Sequence, residues 1–490
     1  MYSFKDVLRG ASMAAVALLT TLGQAQDAGS QLSIRSPPVN YTNVLIPQRA
    51  DPHIVKHTDG NYYFTATVPE YNKVIVRQAT TIQGLATARE VVVFDRAKSK
   101  AGVGFVWAPE LHLIDGKWHI YFALGRQAPF DIRMFVIAAD GPNPTTATWS
   151  EKGFITTDFD TFSLDATTFA VGGTRYLCWA QADPRFENGA GTSLFLAPMI
   201  DAVTIQKPAI VISRPDQPFE RIGFLVNEGA YVMERNGKLF LTYSASATDS
   251  NYAMGLLTAD VKANLMDPKS WVKNKGPIFK TNDATKGFGP GHSAFTVSED
   301  GKSDVLVYHA RNFKDIKGDP LNDPNRATRV QKLYWRQNGT PDFGVPVAEG
   351  PHPMRLRNAA DQNLYIHHEG VGKAVTLDGT GAVQDTQFRV LSPGLDGSDG
   401  TVSFESASNP GTFLRVMGTG LQLVAQRGAD ANFSQEASFR QVTGLADRAG
   451  VSFESVSAPE RFIHGGVNGP AQVSFVSGTA QERQSTFFFE

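Results

Sequence analysis

Short runs of aromatic and β-branched residues recur through the first two thirds of the chain, each led in by a turn that carries glycine. They read Gly60-Asn-Tyr-Tyr-Phe-Thr-Ala, Gly116-Lys-Trp-His-Ile-Tyr-Phe, Gly173-Thr-Arg-Tyr-Leu-Cys-Trp, Gly237-Lys-Leu-Phe-Leu-Thr-Tyr and Gly301-Lys-Ser-Asp-Val-Leu-Val-Tyr. Successive glycines stand 56, 57, 64 and 64 residues apart. Glycine supplies the positive φ that a tight connection needs, so each run predicts a hairpin. Five copies of one sheet unit at roughly 60 residues predict a five-bladed β-propeller over residues 40–350. An irregular β-sandwich with coincidental spacing is the alternative.

A second repeat with a shorter period follows. Leu364-Tyr-Ile-His, Thr412-Phe-Leu-Arg and Arg461-Phe-Ile-His place their aromatics at 365, 413 and 462, spaced by 48 and 49 residues. Thr401-Val-Ser-Phe-Glu-Ser-Ala-Ser and Gly450-Val-Ser-Phe-Glu-Ser-Val-Ser precede the second and third units almost verbatim, and the units close on Phe388, Phe439 and Phe487. Three all-strand units predict a β-trefoil over residues 353–490. The Pro- and Gly-rich stretch between Asn338 and Pro353 puts the domain boundary near residue 352. The expected fold class is therefore all-β, a five-bladed propeller followed by a trefoil.

Composition fits this picture. The 45 Gly and 27 Pro make about 15% of the chain against roughly 12% in average usage, as a turn-rich β protein requires. The 46 basic and 48 acidic side chains leave a net charge of −2, and no basic stripe stands out, which excludes a nucleic-acid binder. At the N-terminus, Lys5 and Arg9 precede an apolar run over Ala11–Leu22, and Gly23-Gln24-Ala25 offers small residues for cleavage. This predicts a signal peptide over residues 1–25 and a secreted protein; a mitochondrial transit peptide is disfavoured by Asp6 and the sparse Arg. No later stretch is apolar enough for a membrane span. Cys178 is the only cysteine, so no internal disulfide forms and a buried structural thiol is expected. A closed propeller has few free strand edges, so a monomer is expected.

The candidate chemistry lies just upstream of the hairpin glycines. Asp51, Trp107, Glu228 and His292 each stand 9 residues before theirs, Asp165 stands 8 before, and Glu110 stands 6 before Gly116. Equivalent positions fall on the first, innermost strand of each blade and so converge on the propeller axis. Clustered carboxylates repel one another and raise each other's pKa, a cost that implies use. Three around one cavity suit glycoside hydrolysis, in which one stays protonated for the leaving oxygen, one is ionised to activate water and a third tunes the acid. A ring of acids could instead hold a metal, but no dense Asp-x-Asp or His-x-x-x-His pattern is present. Trp107 offers a flat apolar face to a sugar, or packs between blades; Glu110 is a candidate substrate contact or a plain hydrogen-bonding partner.

These residues sit in motifs that resemble glycoside hydrolase family 43: Arg49-Ala50-Asp51-Pro52-His53-Ile54, Trp107-Ala108-Pro109-Glu110, Ser163-Leu164-Asp165-Ala166, Asn227-Glu228-Gly229 and Gly289-Pro290-Gly291-His292. The resemblance implies a propeller enzyme acting with inversion, with Asp51 as general base, Glu228 as general acid and Asp165 as modulator of the acid. It implies no required cofactor, His292 on the axis with a structural calcium near it in some members, and Arg329, in Thr328-Arg329-Val330, close to the sugar. The trefoil resembles the arabinofuranose-binding modules of carbohydrate-binding module family 42, which implies a sugar pocket at His368 and Asp385 in lobe one. Lobe two has Val416 and Glu436 at the matching places and lobe three has Gly465 and Gln484, so binding is expected to centre on lobe one. Together the two resemblances imply an exo-acting arabinofuranosidase with plant cell-wall arabinan or arabinoxylan as its partner. A β-xylosidase or arabinoxylan-debranching enzyme of the same family, a retaining fructosyl enzyme on a similar propeller and a non-catalytic sugar-binding protein are the alternatives.

Overall fold

In the computed structural model, residues 41–490 are described; the expected signal peptide lies outside them. Five antiparallel sheets follow one another along the chain, four of them four-stranded. Their innermost strands are Ala50–Lys56, Val106–Ile114, Ser163–Val171, Asn227–Arg235 and Phe288–Val297. Their second strands are Tyr62–Thr67, Lys117–Gly125, Thr174–Gln181, Lys238–Ala245 and Asp304–Arg311. In blade 3 the outer edge is split into Thr204–Ile205 and Ile210–Ser213, both paired with Ser193–Asp201.

The turn chemistry sets the hairpins. Asp115-Gly116 and Asn236-Gly237 both have positive φ at each residue (49° and 75°, 51° and 74°), the backbone of a two-residue connection whose twist matches the flanking strands. The strands bury apolar faces between neighbouring blades, and Cys178 is fully buried in one such layer with Leu194, Leu196 and Leu241. Burial pushes its thiol up, which makes it inert packing rather than a nucleophile. The segment before blade 1 laces onto blade 5: the Leu45 and Ile46 amides donate to Thr328 O, and the Asn43 amide group brackets Val330 with bonds of 2.7 and 2.9 Å.

The C-terminal strands, from Met354–Asn358 to Phe487–Phe489, join in a single sheet of thirteen that closes as a trefoil. Phe388, Phe439 and Phe487, one from each repeat, are fully buried in its core with Phe404 and Phe453. Each repeat alone has only one apolar face, and closure buries all three against one another. The trefoil is docked on the propeller: Arg389 donates to the Ala348 and Glu349 carbonyls, and the Arg355 guanidinium lies 3.4 Å from the Tyr365 ring centre and 4.9 Å from that of Tyr334. No helix among the described residues is long and apolar enough to cross a membrane.

Candidate active site

All five innermost strands break their ladder at the same place. Asp51, Ala108, Asp165, Gly229 and His292 have φ of 51°, 47°, 55°, 54° and 47°, and the pairing register shifts across each of them. Such a bulge re-aims the side chains beside it. Left-handed backbone at a non-glycine residue costs energy and survives where its surroundings over-determine it. Asp51, Asp165 and His292 occupy the bulge itself, whereas Trp107 and Glu228 immediately precede it. The five positions are therefore equivalent only to within one residue.

The bulges face a cavity of about 670 Å³ whose wall includes Asp51, Trp107, Asp165, Glu228, His292 and Arg326. Phe130 and Phe224 also line it, although they are 59% and 66% exposed. The Trp107 indole stacks on Phe105 at 5.1 Å and meets Tyr71 and Phe130 edge-on. Its buried N–H has no protein partner. A larger hollow, about 1440 Å³, separates blades 4 and 5 from the first trefoil lobe but gathers no set of acids.

The three acids are held in different states. Burial alone would push the Asp51 carboxyl up, but Arg326 at 3.2 Å, with His292 at 3.3 Å, holds it well below the usual carboxylate range. Its second oxygen accepts the Thr67 hydroxyl at 2.6 Å. Glu228 goes the other way. Burial, joined by the Asp51 charge, lifts it to about 7 against the opposing 2.7 Å hydrogen bond from Tyr252. Asp165 is also raised, by burial and by the charges of Glu228 and Asp51, while it accepts the Gly229 N–H at 3.0 Å. Burial and mutual repulsion favour a shared proton on the Asp165–Glu228 pair, whereas Arg326 favours the ionised form of Asp51.

Two expected site residues lie elsewhere. Arg329 is fully buried behind the sheet, donating to Val347 O at 3.2 Å and pairing with Glu349. The arginine in the cavity is Arg326. An offset of three residues along extended chain reverses the face. Arg326 also donates to the Tyr71 hydroxyl, which in turn donates to Leu321 O. Glu110 is not in the cavity wall; it lies three residues past Trp107 and is buried against His112 at 2.8 Å and His53 at 4.0 Å.

His53, Glu110 and His112 have metal-like spacing, but His53 Nδ1 accepts the Leu111 N–H at 3.3 Å. The proton of neutral His53 therefore sits on Nε2, facing Glu110, where a metal would need a lone pair. His292 Nδ1 lies 3.3 Å from Asp51 and 3.8 Å from Asp165, whose oxygens are held by Arg326, Thr67 and the Gly229 amide.

In the trefoil, His368 Nε2 lies 2.8 Å from Ser406 Oγ, which is 3.3 Å from Ser408 Oγ, and Ser408 donates to Asp385 at 2.9 Å. The two expected residues are thus joined through a pair of serines. In lobe two Glu436 is tied to Arg415 at 2.7 Å. In lobe three a side chain at Gly465 would meet Leu377 at 2.5 Å.

The match to "Glycosyl hydrolases family 43" covers residues 41–341, and the match to "Alpha-L-arabinofuranosidase B (ABFB) domain" covers residues 354–489. The chain is 60% identical to "Alpha-L-arabinofuranosidase B" of Pyricularia oryzae over 493 aligned residues, covering 100% of both. It is 49% identical to "Extracellular exo-alpha-(1->5)-L-arabinofuranosidase" of Streptomyces avermitilis over 440 residues, 90% of this chain and 89% of the relative. The crystal structure of an alpha-L-arabinofuranosidase from Lactobacillus brevis, 49% identical, superposes with a TM-score of 0.61 over 63% of this chain and 98% of its own. With its propeller, its axial acids and these relatives, the chain belongs to glycosyl hydrolase family 43 and is a glycoside hydrolase with a C-terminal arabinofuranosidase-B domain.

Proposed function

We propose that the protein is a secreted, inverting, exo-acting α-L-arabinofuranosidase that releases L-arabinose from arabinan and arabino-oligosaccharides. The observation that carries this is two carboxyls in one cavity with opposite surroundings, Asp51 paired with Arg326 at 3.2 Å and Glu228 met by the neutral Tyr252 hydroxyl at 2.7 Å. Glu228 gives its proton to the glycosidic oxygen as the bond to the anomeric carbon breaks. Asp51 takes a proton from the water that attacks that carbon from the opposite face. Asp165 shares the proton of this pair with Glu228 and fixes the strand of Glu228 through the Gly229 amide. Separate acid and base on opposite faces are what single displacement needs. The names of the Pyricularia and Streptomyces relatives support the sugar, and the latter supports exo action and an extracellular location. In the trefoil, His368 and Asp385 hold an arabinofuranose unit of the polymer.

The product profile on linear 1,5-arabinan and on arabinoxylan tests the reading. Arabinose as the sole early product from arabinan is expected. Oligomers, or preferential release from arabinoxylan, would overturn the exo-arabinan assignment.

A further inference from the structure

Thr67, Ser244 and His309 occupy one place in three different blades. Each is on a second strand, opposite the residue before the bulge: Thr67 opposite Ala50, Ser244 opposite Glu228, and His309 opposite Gly291. A bulge leaves an amide without its ladder partner, and each of these side chains takes such an amide from the next blade around the ring. Thr67 Oγ1 accepts the Ala108 N–H at 2.7 Å, Ser244 Oγ the His292 N–H at 2.7 Å, and His309 Nδ1 the Asp51 N–H at 3.1 Å. The corresponding residues of blades 2 and 3 are Ala123 and Ala180, which have nothing to offer, and the Gly229 amide turns to Asp165 instead.

Thr67 differs from the other two because it has a proton to give to a reacting group; His309 Nδ1, although 3.3 Å from Asp51 Oδ1, presents the lone pair that accepts the Asp51 amide. The Ala108 N–H points at its oxygen, so its single proton must be donated onward, and the neighbour that receives it is Asp51 Oδ2 at 2.6 Å. A hydroxyl locked as a donor favours the ionised form of the acceptor and fixes the plane of its carboxylate. We infer that Thr67 is a positioning residue for the water-activating carboxylate of Asp51, a role that rests on the function proposed above. The charged and titratable groups facing Asp51 are Arg326, His292 and His309 from blade 5, Glu228 and Tyr252 from blade 4 and Asp165 from blade 3.

The test compares Thr67→Val, Thr67→Ser and Asp51→Asn in the full chain on a chromogenic arabinofuranoside across pH. Thr67→Val is expected to lower kcat about 100-fold with little change in KM, the scale of a misplaced catalytic group. It should also move the acid limb of kcat/KM upward, because a donor to the carboxylate is lost. Thr67→Ser should restore both. Should the valine variant not fold, Thr67→Ala against Thr67→Ser isolates the hydroxyl. A valine or alanine variant with wild-type kcat and acid limb, or a serine variant equally impaired, would overturn the inference. An active Asp51→Asn would instead overturn the function on which it rests.

Discussion

Both domains of this protein are built from repeats, and they use repetition in opposite ways. In the propeller, one backbone device recurs five times and every copy aims at the same axis. The blades can then carry different residues there: a carboxylate held by Arg326, an indole, two further carboxyls and a histidine. Divergence between copies assembles a single site. In the trefoil, the matching places lie in three separate lobes, so divergence between copies changes them one at a time. Lobe one keeps the His368–Ser406–Ser408–Asp385 chain, lobe two spends its acid on Arg415, and lobe three has glycine where the histidine would stand. Convergent repeats are intolerant of change at any copy, and radiating repeats are tolerant at most of them.

That contrast is broken most directly at the axis. Asp51→Asn and Glu228→Gln are each expected to lower kcat by about 10³-fold or more, since each removes one partner in proton transfer. Steady-state rates on a chromogenic arabinofuranoside check this; retention of rate in either would mean that the blades do not share one site. Gly229→Ala sharpens the point by changing only the bulge. Its added carbon would stand 3.0 Å from His292 Nδ1 on a backbone with φ of +54°, and a loss of about 10–100-fold in kcat is expected from the shifted wall.

Tyr252→Phe has a smaller and more diagnostic effect. The lost hydrogen bond favours the ionised acid, so removing it raises the Glu228 pKa, and the alkaline limb of the pH–rate profile should move upward from its wild-type position rather than downward. In the trefoil, His368→Ala should weaken retention on insoluble arabinan or arabinoxylan about fivefold, the worth of one hydrogen bond, while hydrolysis of the small substrate is unchanged. His464→Ala, on the Phe462–His464 strand of lobe three, where the ring lies 2.7 Å from Ser474 Oγ, should alter neither. A larger effect at His464 would show that lobe three, not lobe one, carries the binding.

The repeats and the residues on the innermost strands were legible because a glycine turn marks each hairpin and a fixed count leads back to the axis. The bulges hid the finer register. Counting from Gly116 puts Trp107 correctly, but three residues further on Glu110 turns away to His53 and His112. Arg326 precedes the third strand of blade 5, where no turn sets the register, so the resemblance points to Arg329 while the arginine lining the cavity is Arg326. Thr67, Tyr252 and His309 come from second strands and loops, and their partners emerge only once cross-strand pairing is known. The trefoil histidine and acid were readable as a pair, whereas the two serines that join them belong to the next repeat.

Anomer-resolved ¹H NMR of the first turnovers on an α-L-arabinofuranoside tests the central claim, that Asp51 delivers water to the face opposite the bond Glu228 protonates. The account predicts β-arabinose as the first product, followed by slow mutarotation. Initial appearance of the α-anomer would make the first-blade acid a nucleophile and contradict the account.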